Sequence, residues 1–123
     1  MDLNRLATVE QHEAGAEFQL IDTATGKKED VVFKVKGLDS KAWRNAQKEQ
    51  RRKNEGNEEI DFFDHEYLWP MIASVIVEWR ELESKGKPFK YSEENARWIC
   101  KNSPNVVSQI FAFLLDRGNF ISD

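Results

Sequence analysis

The sequence predicts a mainly α fold: a compact bundle of four to five helices, preceded by a small amino-terminal β-hairpin at about 17–36. Three observations predict it. Apolar residues recur at three- and four-residue steps through Leu68, Ile72, Val75, Ile76, Trp79 and Leu82, and again through Val107, Ile110, Phe111, Leu114 and Leu115. Each set is a broad helical stripe. Ser92 and Ser103-Pro104 stand where helices characteristically begin. Two short alternating runs enclose a glycine-containing turn, which is the pattern of a hairpin.

Residues 1–15 read as a weakly ordered chain end, and residues 16–123 as a single domain. In the hairpin, Phe18 and Leu20 share one face of the first strand. Thr23-Ala24-Thr25-Gly26 forms the turn, and Val31, Phe33 and Val35 share one face of the second strand. Asp39 or Ser40 then caps a helix to about Asn54, with Arg51-Arg52-Lys53 in a last turn that suits the helix dipole. Its apolar stripe is thin: Trp43 and Ala46, with Leu38 before it. After the polar linker Asn54–Glu59, one long helix is expected from Asp61 to about Ser84, bent at Pro70 or restarted there. Gly86 and Pro88 end it. Phe89 and Tyr91 are extended. Ser92 caps a helix over 93–101 with Glu93 and Glu94 in its first turn, and Ser103-Pro104 opens the last helix, which stops near Gly118.

The 123 residues fit one domain and carry a net charge of −4, too mild to identify a partner. Cys100 is the lone cysteine, which excludes an intrachain disulfide and suits a reducing, cytoplasmic setting. The first residues carry acids and no apolar core, unlike a signal peptide. The longest near-continuous apolar run, Tyr67 to Val77, is far shorter than a membrane span of roughly 18–20 residues. Charge is uneven. Lys41 to Lys53 carries six cationic side chains and one acid, whereas Glu55 to Glu66 carries six acids and no Lys or Arg. These read as two solvated faces that partly neutralise each other.

No catalytic, cofactor or metal constellation stands out. His12 and His65 lack ligand-spaced neighbours other than acids, and adjacent positions on a helix point apart, so Asp61, Asp64, His65 and Glu66 do not converge on a metal. Cys100 lies on an apolar helix face with no nearby His or Asn, as a small buried hydrophobe does. The six glycines are scattered beside turns and form no phosphate loop. The expectation is a non-enzyme without cofactors. Two binding signals remain. The basic helix 41–53 could meet nucleic acid phosphates with Trp43 stacked on a base, but its charges spread around the helix and the chain is acidic overall. The aromatic residues are mostly core. Trp43 is set apart from Trp69, Trp79 and Trp98 because its helix has little else to bury.

The stretch Trp79, Gly86-Lys87-Pro88-Phe89, Ser92-Glu93-Glu94-Asn95-Ala96, Pro104, Phe111 and Asn119-Phe120 resembles the tail assembly chaperones of long-tailed bacteriophages, the group typified by the lambda G protein. The likeness covers about 45 residues well, and the hairpin with its Leu-Asp-Ser helix start loosely. The resemblance implies a chaperone that coats the tape measure protein, keeps it soluble and helps recruit tail tube subunits. It implies absence from the finished virion and a longer frameshifted form beside this short one; self-association is expected because the hairpin or a helix could exchange between subunits. The candidate protein-binding residues are Trp79, Phe111 and Phe120 from the resembling stretch, with Trp98 beside them and Trp43, whose helix lacks a core of its own. The alternatives are another phage structural, head–tail or tail completion factor, or a small nucleic-acid-binding regulator using helix 41–53.

Overall fold

The computed structural model describes residues 1–121. A short helix, α1 (Val9–Ala14), leads into strands β1 (Ala16–Ile21) and β2 (Lys28–Val35). Helices α2 (Lys41–Lys53) and α3 (His65–Val75) follow. The chain then runs as strand β3 (Ile76–Arg80), a minimal hairpin of β4 (Glu83–Ser84) and β5 (Lys87–Pro88), helices α4 (Glu93–Asn102) and α5 (Pro104–Leu115), and a closing 3-10 turn (Arg117–Phe120).

The expected helical bundle with one small hairpin is therefore corrected. The fold is mixed α/β, with a three-stranded antiparallel sheet in the order β1-β2-β3 and a separate two-stranded hairpin. The error lies in the single long helix expected over 61–84. That helix ends at Val75, and Ile76–Arg80 pairs with β2, setting Phe33 opposite Trp79 and Lys34 opposite Glu78. Two causes act together. Val75-Ile76-Val77 is a β-branched run followed by Trp79, and such residues fit a pleated sheet better than a helix. The hairpin also leaves an edge of β2 unpaired, and β3 satisfies it. Val77 is the extra residue of a bulge between the Lys34–Glu78 and Val35–Ile76 pairs, and such a bulge bends a strand. It lies beside the helix-to-strand junction, where the Lys36 N–H donates to the Val75 carbonyl at 2.9 Å.

Pro70 neither ends nor restarts a helix: α3 runs unbroken through it. The missing N–H deprives only the carbonyl of Glu66, an exposed residue one turn earlier, where water can serve instead.

The serine caps stand where expected. The hydroxyl of Ser40 accepts from the Trp43 N–H, that of Ser92 from Asn95, and that of Ser103 from Val106. The hairpin also follows its pattern, with Phe33 and Val35 buried on one face and Gly26 at a φ of +74° in the turn. The free end of β1 is closed by Gln109 of α5, whose amide accepts from the Ile21 N–H at 2.9 Å and donates to its carbonyl at 2.8 Å.

Helix α3 is the centre of the molecule. It packs on α2, α4 and α5 and continues into the sheet. Its Met71, Ile72 and Val75 share the core with Phe33, Val35, Ile76, Val107, Ile110 and Leu114. Residues 9–14 belong to this body too: His12 is fully buried and stacks on Phe120 with ring centroids 4.8 Å apart.

Candidate interaction surface

Part of the stretch that carries the phage-chaperone resemblance, from Trp79 to Asn95, comes together at one place, whereas Phe111 and Phe120 lie elsewhere. Trp79 reaches from β3 between three rings, edge-on to Phe33 and Tyr91 and parallel to Phe89 at 5.9 Å. Its indole N–H donates to the Phe89 carbonyl at 2.6 Å, which fixes the returning chain against the sheet. The Tyr91 hydroxyl donates to the Ile76 carbonyl at 3.1 Å. One residue further on, Ser92 starts α4, and Asn95 of that helix donates from its amide to the Lys90 carbonyl at 2.8 Å.

Between Trp79 and α4 the chain makes the β4–β5 hairpin. Lys85 and Gly86 both take positive φ, 54° and 78°, the mirror-image turn that suits a two-residue hairpin. The sequence reads Gly86 as a helix cap. It is instead a turn glycine, in a left-handed conformation either way.

The hairpin and α4 enclose a groove of about 460 Å³. Leu82, Phe89, Trp98 and Ile99 give it an apolar lining, and Glu83 and Asn95 add polar edges. Trp98 leans on Phe89 with centroids 6.2 Å apart yet stays 61 % exposed. An aromatic ring of that size left open beside a groove is a typical interface anchor.

The other suggested binding residues fall elsewhere. Trp43 is buried and stacks on Phe111 at 6.1 Å. Helix α2 thus has a core contact of its own, reinforced by Gln50, whose amide donates to the Tyr67 carbonyl at 2.7 Å. Phe111 is half-buried and also meets Phe63 at 6.1 Å. Phe120 is buried between His12 and Phe113. The structure joins Trp79 to Trp98 through Phe89 and joins Trp43 to Phe111; Phe120 stands apart from both pairs. Sequence reasoning missed Leu82 as a groove residue, and missed the exposed Phe62 and Phe63. The adjacent phenylalanines in an acidic run were the available signal.

Among the described residues no group of three or more His, Cys, Asp and Glu side chains is placed to hold a metal ion. Cys100 is fully buried, and burial pushes its thiol up to about 12. The thiolate required of a nucleophile is therefore disfavoured near neutrality. No helix among the described residues is long and apolar enough to cross a membrane.

No protein-family model, curated protein or solved structure matches this chain.

Proposed function

We propose that this protein is a non-enzymatic assembly chaperone for long phage tails. It binds the tape measure protein, keeps it soluble and helps recruit tail tube subunits, acting in the bacterial cytoplasm and leaving before the particle is complete. One observation carries the reading. Trp79, Gly86-Lys87-Pro88-Phe89 and Ser92 to Asn95, the larger part of the stretch that resembles those chaperones, fold into a single aromatic corner beside an open groove. A groove with an exposed Trp98 suits an amphipathic partner helix, held through apolar anchors along one face.

Co-expression with a tape measure protein from the same phage genome tests this. The soluble yield of the tape measure should rise with the chaperone present, while purified particles lack it. Trp98→Ala should abolish that gain without changing the melting temperature, because an exposed ring contributes little to the fold. A tape measure that stays insoluble with the intact chain, or this chain retained in mature particles, overturns the proposal. Retention would point to a tail completion or head–tail role instead.

A further inference from the structure

A second surface lies beside helix α2. With successive residues about 100° apart on a helix, Lys41, Arg44, Lys48, Arg51 and Arg52 fall on one side of α2, away from buried Trp43 and Gln50. Five of the six cations therefore form a stripe, and Lys53 alone lies off it. Arg52 is held by Glu49 at 2.6 Å. Among the described residues, Lys41, Arg44, Lys48 and Arg51 pair with no carboxylate. The acidic segment that follows offers them nothing either: Glu55, Glu58, Glu59, Asp61, Asp64 and Glu66 make no ion pair. Among the described residues the two segments thus make no direct ion pair with each other, although Glu55 adds to the raised pKa of Arg52.

The stripe borders an apolar groove of about 290 Å³. Gln47 and Arg51 form one wall, Phe62 and Phe63 the other, and Phe111 lines it too. Phe63 is 73 % exposed and Phe62 55 %. Leu115, one turn beyond Phe111 on α5, is also exposed. An open apolar groove thus runs beside a row of unneutralised cations.

We propose that this face docks an amphipathic helix of a partner protein, with apolar side chains seated on Phe62 and Phe63 and carboxylates along the flank that meets Arg44, Lys48 and Arg51. The charge pattern selects that occupant. Lys41 to Arg51 spans about 15 Å of helix, so a partner helix laid alongside meets cations over roughly three turns. Glu59, Asp61 and Asp64, close to Phe62 and Phe63 in the chain, line an adjoining pocket with Gln50 and Asn54 and repel a uniformly acidic ligand. They demand acids on one flank only, and they disfavour nucleic acid, whose phosphates would face them. This surface stands apart from the Trp98 groove and does not depend on the tape measure reading.

The test uses the full chain and fluorescent helical peptides of about 20 residues with identical leucine anchors and either Glu or Lys along one flank. Anisotropy titrations should show the Glu peptide binding at least about tenfold more tightly than the Lys peptide, with the advantage lost in roughly 0.5 M NaCl. Arg51→Glu and Phe63→Ser should each weaken the Glu peptide about fivefold or more while the far-UV spectrum and melting temperature hold. Trp98→Ala should leave it unchanged. Equal binding of the two peptides, no binding at low salt, or indifference to both Arg51→Glu and Phe63→Ser overturns the proposal. So does a single-stranded oligonucleotide that binds more tightly than the Glu peptide and is released by Arg51→Glu.

Discussion

His12 joins three parts of the chain through one ring. Its Nδ1 accepts the Asp39 N–H at 3.0 Å, its face lies on Phe120, and its backbone carbonyl accepts the Gly37 N–H at 3.0 Å. An acceptor Nδ1 places the ring proton on Nε2, which points toward the Asp39 carboxylate at 3.6 Å and finds no hydrogen bond. Burial holds the His12 pKa below its ordinary 6.5; Asp39 pulls the other way and Arg117 adds to the lowering. The unfolded chain therefore takes up a proton here more readily than the folded one. This contribution to stability is full above about pH 6.5 and is lost as pH falls below it. Asp39 behaves differently. Burial raises its pKa, but the Thr8 hydroxyl and the Arg117 guanidinium outweigh that and leave it below the usual carboxylate value, so its contribution fails only in more acid solution. Melting temperatures should fall as pH drops below about 6.5, and His12→Gln should flatten that fall; an unchanged fall assigns it to another group. Gly37→Ala is the steric counterpart. A Cβ at residue 37 would lie 2.0 Å from His12 Nδ1, so the ring must move, at a cost of about 2 kcal/mol or more in a urea melt. None of this was legible in the sequence, where His12 is a lone histidine among polar residues with no periodic pattern.

At the scale of elements, local signals were legible and tertiary ones were not. Ser40, Ser92 and Ser103 cap their helices because a hydroxyl beside free amides acts within one turn of chain. The hairpin at 16–35 was readable because alternation and its turn are both local. Strand β3 was not. Val75, Ile76, Trp79 and Leu82 fit a helical stripe, and the fact that decided otherwise, the open edge of β2 some 40 residues earlier, is non-local. The candidate site was half legible for the same reason. Its residues stood in one run of sequence, but the strand and hairpin that fold Trp79 back onto Phe89 were read as helix and cap. The hairpin carries a testable local conflict. Lys85 has a φ of 54°, a conformation that is unfavourable for a side chain with a Cβ and that asparagine tolerates. Lys85→Asn should stabilise the protein by up to about 1 kcal/mol in chemical denaturation. A loss of stability would mean that the Lys85 side chain makes a contribution larger than its strain.

Over the whole molecule, the chain ends determine how the layers close. Helix α1 and the 3-10 turn Arg117–Phe120 meet at the β2–α2 connection. His12 covers Phe120 and Gly37, Thr8 donates its hydroxyl proton to Asp39, and Arg117 reaches the other Asp39 oxygen at 3.3 Å. The first turn of α2 is tied in as well, because the Lys41 N–H donates to the Glu13 carboxylate. Neither α1 nor the Arg117–Phe120 turn is an appendage, although residues 1–15 read as a weakly ordered end and Leu3 and Leu6 are exposed. Deleting residues 1–14 therefore removes one wall of the site that orders the α2 start, and exposes Phe120 to water. The expected result is a melting temperature lower by several degrees, since a loss of 1 kcal/mol shifts a domain of this size by roughly 4 °C or more. Hydrogen exchange should rise first at the amides of residues 37–44 and 116–120, while β2 and α3, buried at the centre, stay protected. Faster exchange confined to the new terminus, with an unchanged melt, would place residues 1–14 outside the cooperative unit and leave α2 to be held by Trp43 and Gln50 alone.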